Sequence, residues 1–251
     1  MADKEKNPHS GHRQRVRAKF ISQGNLDGFA EHNILEFLLF YAVPRADTNE
    51  LAHRLIDTFG SLKGVFDAPY EALTQIDGIG ENAAVLMKLI PSVSRTYLTQ
   101  QTADIKTICS TADAVNYLRP KFTSLRHESL VMLCLNRSGK ILKCSVISEG
   151  GIDYTQADLR KILFDILSCH ATEIIIAHNH PGGLCVPSKG DIAMTQMISD
   201  SVMNTGTTLR NHIIICDDDY FSFADNSIMR KYLRSESRNV FVANEDEEDY
   251  D

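Results

Sequence analysis

The stretch that most limits what this chain can fold into is Glu173 to Gly183, "EIIIAHNHPGG": an apolar run, two histidines one residue apart, and then Pro181, Gly182 and Gly183. A short run rich in isoleucine and closed by turn residues fits a buried strand better than a helix. Side chains alternate along a strand, so the His-x-His ending points both imidazoles to one side. A second run of this kind, "HIIICD", begins at His212, and Asp191 to Thr205 between them repeats at helical spacing. Upstream, "SLVMLCLN" (129–136) and "KILKCSVISEG" (140–150) flank Arg137-Ser138-Gly139 and predict a hairpin of two strands. Gln156 to Cys169 predicts a helix through Leu159, Ile162, Leu163, Ile166 and Leu167, and Ser110 to Leu118 a capped one. The resulting fold class is α/β, a mixed sheet with helices packed against it and no tandem repeat.

The N-terminal part has a different period. From Gly28 to about Tyr97 the apolar residues recur at helical spacing, as in Ile34, Leu35, Phe37, Leu38, Leu39 and Leu51, Leu55, Ile56, Phe59. Asp47 and Thr48 stand where a helix could be capped, and Gly60 where the next one stops. After Pro91 and Arg95, "TQQTADIKT" reads as a linker that starts near Thr99. The expected organisation is an all-α domain over 1–100, an α/β domain over 101–240 and an acidic, disordered tail over 241–251.

The strand ending gains meaning from the residues after it. His178 and His180 are succeeded by seven residues, Ser188, two more and Asp191, in "HNHPGGLCVPSKGD", and the prolines and glycines make a loop that can return Asp191 to the strand end. Two neutral imidazoles and a carboxylate suit a catalytic zinc, which takes three protein ligands and keeps a fourth position for water. The plainer alternative is a capping box, with Ser188 capping the helix and Asp191 at its positive end. The two readings are compatible, because a ligand in the first turn of a helix is held by the same geometry. A general base is also required, and Glu128, Glu149 and Glu173 are the candidates. Glu173 starts the histidine strand, at the far end from the site. Spacing does not choose between Glu128 and Glu149.

From "GHRQRVRAKF" through "AHNHPGG" and "PSKGD", over roughly residues 11 to 235, the chain closely resembles the RadC family, whose C-terminal domain belongs to the JAMM (MPN+) metalloprotease-like group. That resemblance implies a cytidine-deaminase-like mixed sheet and a zinc hydrolase of amide or isopeptide bonds, acting on a peptide or protein. It implies His178, His180 and Asp191 as zinc ligands, Glu128 as the base, and Ser188 as a group that stabilises the oxyanion or orients water. Two positions depart from the family pattern. Leu159-Arg160-Lys161 stands where Pro-Arg-Glu is usual, which removes a competing carboxylate and favours Glu128. Pro181-Gly182-Gly183 replaces the usual Pro-Ser-Gly, and Cys185 enters the loop as a small filler or, alternatively, an extra thiolate ligand.

In "LTQIDGIGENAAVLMKL", Gly78-Ile79-Gly80 between helical segments looks like a helix-hairpin-helix, which grips a DNA backbone through amide groups at a helix N-terminus. The acid Glu81 and the single base Lys88 fit a packing turn equally well. With the family's traditional link to DNA repair, this motif supports a second reading: a DNA-associated binding protein whose metal site is structural or vestigial. The contiguous letters His-Asn-His do not make an HNH nuclease, whose residues are spread over a ββα unit.

Charge and cysteine content set the remaining bounds. The formal net charge is -7, but Glu245 to Asp251 hold six acids, and without them it is -1. Met1 to Gly24 carry a basic surplus of four, which fits either an arm on phosphate or a solvated tail. The six cysteines (Cys109, Cys134, Cys144, Cys169, Cys185, Cys216) form no C-x-x-C pair and suggest reduced thiols. Met1 to Ser10 lack the apolar core of a signal, and no apolar run nears the roughly 20 residues of a membrane helix. A soluble cytoplasmic protein without a membrane partner is expected, its oligomeric state open.

Overall fold

The computed structural model describes residues 11–43, 47–150, 159–217 and 219–227, so the expected acidic tail at 241–251 lies outside the described residues. The chain divides into two compact units, 1–94 and 95–251.

The first unit is helical: α1 (His12–Gln23), α2 (Glu31–Ala42), α3 (Thr48–Phe59), α4 (Leu62–Asp67), α5 (Tyr70–Thr74) and α6 (Glu81–Gln101). Asp47 caps α3 by accepting from the Asn49 amide at 2.9 Å, and Gly60 ends it in the left-handed region at φ +83°. The apolar stripes predicted from spacing meet in one core of Leu35, Leu39, Leu51, Leu55, Leu73 and Met87. The buried carboxylate of Glu36 is satisfied by His12 Nε2 at 2.9 Å and Asn49 Nδ2 at 3.3 Å.

Three basic residues of this unit bond to its own backbone. Arg13 donates to the Val43 carbonyl at 2.9 Å, Lys19 to Gly28 at 3.1 Å, and Lys88 to Phe66 and Ala68 at 2.8 and 3.0 Å. Gly78, at φ +89°, makes the turn that leads into α6. The linker starts later than expected: α6 continues through Pro91 to Gln101, so Thr99 is helical. A proline inside a helix removes one hydrogen bond without obliging the chain to stop, and polar composition alone did not separate an exposed helix end from a linker.

Among its described residues the second unit has five strands in the order β2-β1-β3-β4-β5. Its elements are α7 (Thr111–Phe122), β1 (Ser129–Leu135), β2 (Ile141–Glu149), α8 (Leu159–Cys169), β3 (Glu173–Asn179), α9 (Lys189–Met203), β4 (Thr208–Ile215) and β5 (Tyr220–Ser222). Strand β1 is antiparallel to β2 and β3, β3 is parallel to β4, and β4 is antiparallel to β5. The expected mixed sheet is present, with the short β5 as a strand the apolar pattern did not reveal. Helices cover both faces. Leu130, Met132, Ile174 and Ile176 pack with Ile162, Ile166, Met194 and Ile198 of α8 and α9. Val131, Leu133, Ile175 and Ile213 pack with Val115 and Leu118 of α7 on the other face. This is why β1 and β3 read as continuous apolar runs without polar alternation.

The β1–β2 hairpin turns where predicted. Gly139 has φ +77°, and a Cβ there would come within 2.4 Å of the Ile108 carbonyl oxygen, so only glycine fits without local movement. Helix α9 is the crossover between parallel β3 and β4, which brings its first turn to the end of β3 where the histidines stand. Among the described residues no helix is long and apolar enough to cross a membrane.

Candidate metal centre

His178 lies inside β3 and is fully buried; His180 is just beyond the strand and is partly exposed. Strand alternation carries both rings to one side, and they stand with Nε2 atoms 2.9 Å apart. Asp191, the third residue of α9 and fully buried, meets them: its Oδ1 is 3.0 Å from His178 Nε2 and its Oδ2 3.6 Å from His180 Nε2. One ligand atom from each of the three side chains lies within 4.8 Å of the others. The capping box is present as well. Ser188 Oγ accepts from the Asp191 amide at 3.1 Å, and Asp191 Oδ2 accepts from the Ser188 amide at 2.7 Å. The cap orients the carboxylate that faces the imidazoles, so the capping box does not compete with the expected ligand role of Asp191.

The donor set fits a divalent transition metal. His180 Nδ1 lies 3.0 Å from the Leu184 carbonyl, which only accepts, so a neutral His180 carries its hydrogen there and keeps a lone pair on Nε2. That lone pair faces a carboxylate in a buried site, an arrangement a cation would stabilise. Burial works against the charge of Asp191, but the adjoining His178 imidazole and hydrogen bonding with Ser188 outweigh it and hold its pKa far below the ordinary 3.8. Nitrogen and oxygen donors of this kind suit zinc.

Two residues that spacing did not single out complete the surroundings. His212 of β4 is fully buried, with Nε2 2.7 Å from His178 Nδ1. Its Nδ1 is 2.6 Å from Thr195 Oγ1 of α9. Burial, followed by the neighbouring His178 imidazole, drives the His212 pKa well below 6.5. Asn179, between the paired histidines, accepts from the Ser129 amide at 2.8 Å and donates to the His127 carbonyl at 3.1 Å. It thereby grips the backbone on either side of Glu128, which is half-buried. Glu149 ends β2 and is exposed, whereas Glu173, at the other end of β3, pairs with Arg210 at 3.3 Å.

Cys185 corrects an expectation. Its sulfur is bonded to Cys216, just beyond β4, so it is neither a free filler nor a thiolate ligand; Cys109, Cys134, Cys144 and Cys169 are free. The bridge ties the loop between His180 and Ser188 to the end of β4, across a separation of 31 residues. Chain entropy for a loop of that size makes it worth about 3–4 kcal/mol. Thiol titration in denaturant is expected to count four groups without reductant and six after reduction, the latter with a lower unfolding midpoint. Six groups before reduction would show that the bridge does not form.

A family profile described as "RadC-like JAB domain" matches residues 108–228. A UPF0758 protein of Fusobacterium nucleatum subsp. nucleatum is 36% identical over 228 residues, covering 88% of this chain and 98% of the relative.

Proposed function

The chain belongs to the RadC family, and from that premise we propose that its second unit is a zinc-dependent hydrolase of amide or isopeptide bonds in a peptide or protein. The observation that carries the reading is the convergence of His178, His180 and Asp191 at the end of β3, with a helix cap orienting the carboxylate. Bound zinc supplies Lewis acidity and lowers the pKa of a coordinated water towards about 7. His178 and His180 would hold the ion through their imidazoles and Asp191 through its carboxylate. Glu128 takes a proton from the attacking water on its carboxylate and returns it to the leaving amine. Ser188 Oγ accepts the Asp191 amide hydrogen as the helix cap, and its hydroxyl is the group assigned to the developing oxyanion.

A cytoplasmic address belongs to the same proposal on the strength of four free thiols, while the Cys185–Cys216 bridge argues for a more oxidising compartment. A DNA-associated role draws less support, because Arg13, Lys19 and Lys88 are engaged with carbonyls of their own unit. The test is metal analysis of protein prepared with zinc, followed by profiling against peptide and isopeptide libraries. One zinc per chain with cleavage is expected; protein that takes up no zinc refutes the proposal.

A further inference from the structure

Thr195 and His212 lie outside the ligand set, yet the hydrogen bonds that join them to it can be followed proton by proton. Thr195 Oγ1 lies 2.5 Å from the Asp191 carbonyl oxygen, which only accepts, so the hydroxyl hydrogen points there. With that hydrogen committed, the same oxygen can only accept from His212 Nδ1 at 2.6 Å, and Nδ1 carries a hydrogen. His212 is wholly buried, with one nitrogen on a hydroxyl and the other on a second imidazole, surroundings that favour a neutral ring. Its Nε2 is then a lone pair, and His178 Nδ1, 2.7 Å away, must donate to it. The consequence falls on the far side of the His178 ring, where Nε2 is left with its lone pair toward Asp191 and His180.

We propose that Thr195 and His212 are positioning residues that lock His178 in the Nδ1–H tautomer and so present its Nε2 lone pair to the metal. The inference rests on the zinc reading above and deepens it. The relay begins at the Asp191 backbone carbonyl, passes through Thr195 and His212, and ends at His178, whose Nε2 lone pair then faces the Asp191 carboxylate 3.0 Å away with no hydrogen between them. Such outer partners commonly govern metal affinity by about 10- to 100-fold.

The test uses the full chain labelled with 15N in histidine. In metal-free protein at about pH 8.5, two units above the ordinary imidazole pKa, long-range 15N–1H spectra are expected to show both His178 and His212 as Nδ1–H. Added zinc should then move the His178 Nε2 resonance. An Nε2–H tautomer at His178 overturns the relay. Thr195→Val removes the acceptor for His212 and is expected to weaken zinc binding about 10- to 100-fold in chelator competition, while Thr195→Ser restores it. Undiminished affinity in Thr195→Val also overturns the relay. If the valine variant does not fold, the wild-type spectra decide. If the wild type takes no zinc, the hydrolase reading falls by itself, and the metal-free tautomers still judge the relay.

Discussion

Asp191→Ala is expected to abolish stoichiometric zinc binding, and His178→Ala to do the same. Each removes one of three donors that lie within 4.8 Å of one another, and the two that remain cannot make a tetrahedral site with one open position. Asp191→Ala carries a second effect, because the carboxylate also accepts from the Ser188 amide as half of the capping box. Losing that part should cost about 0.5–2 kcal/mol of stability. Asp191→Asn separates the two effects. An amide oxygen can still accept from Ser188, so the fold should stay near wild type, while the missing anion should still remove zinc. Metal content by elemental analysis and unfolding midpoints of the metal-free proteins read the two effects apart. Stoichiometric zinc retained in both Asp191→Ala and His178→Ala would refute the ligand set.

The parts of this centre that were legible in the sequence are those set by short-range geometry. Strand alternation over two residues put His178 and His180 on one side, and a capped helix start close behind put Asp191 within reach of them. His212 was hidden because it begins an apolar run and reads only as the start of a buried strand; its contact with His178 depends on the parallel pairing of β3 with β4, which spacing does not encode. Thr195 was hidden for the same reason, as one polar residue on the buried side of α9. The Cys185–Cys216 bridge joins a loop to a strand end 31 residues away, and six cysteines without a C-x-x-C pair give no cue to such a partner. In the first unit, apolar stripes and the cap at Asp47 located α2 and α3, whereas α1 (His12–Gln23) lies in the basic stretch read as an arm or a solvated tail. The extent of α6 escaped because its last turn is polar and exposed.

Glu128→Gln is expected to keep zinc and the wild-type unfolding midpoint while hydrolysis falls about 10²- to 10⁴-fold, the usual share of a general base. The sheet register gives the reason for favouring Glu128. Leu130 pairs with His178, so the residue two positions earlier falls on the same face by alternation, across from His180. The Gly150 amide donates to the Glu128 carbonyl at 3.2 Å, so strand-like pairing with β2 continues to that residue. Glu149 pairs with Ser129, one position out of phase, and alternation assigns it to the other face. Asn179 adds rigidity by holding the peptide groups on both sides of Glu128. The measurement is turnover, by both glutamine variants at equal zinc occupancy, of any peptide or isopeptide the wild type cleaves. Glu149→Gln should remain within a few-fold of wild type. Full activity in Glu128→Gln with loss in Glu149→Gln would transfer the proton to Glu149, and would mean that the bulge between Leu130 and Val131 turns the end of β2 toward the metal ligands.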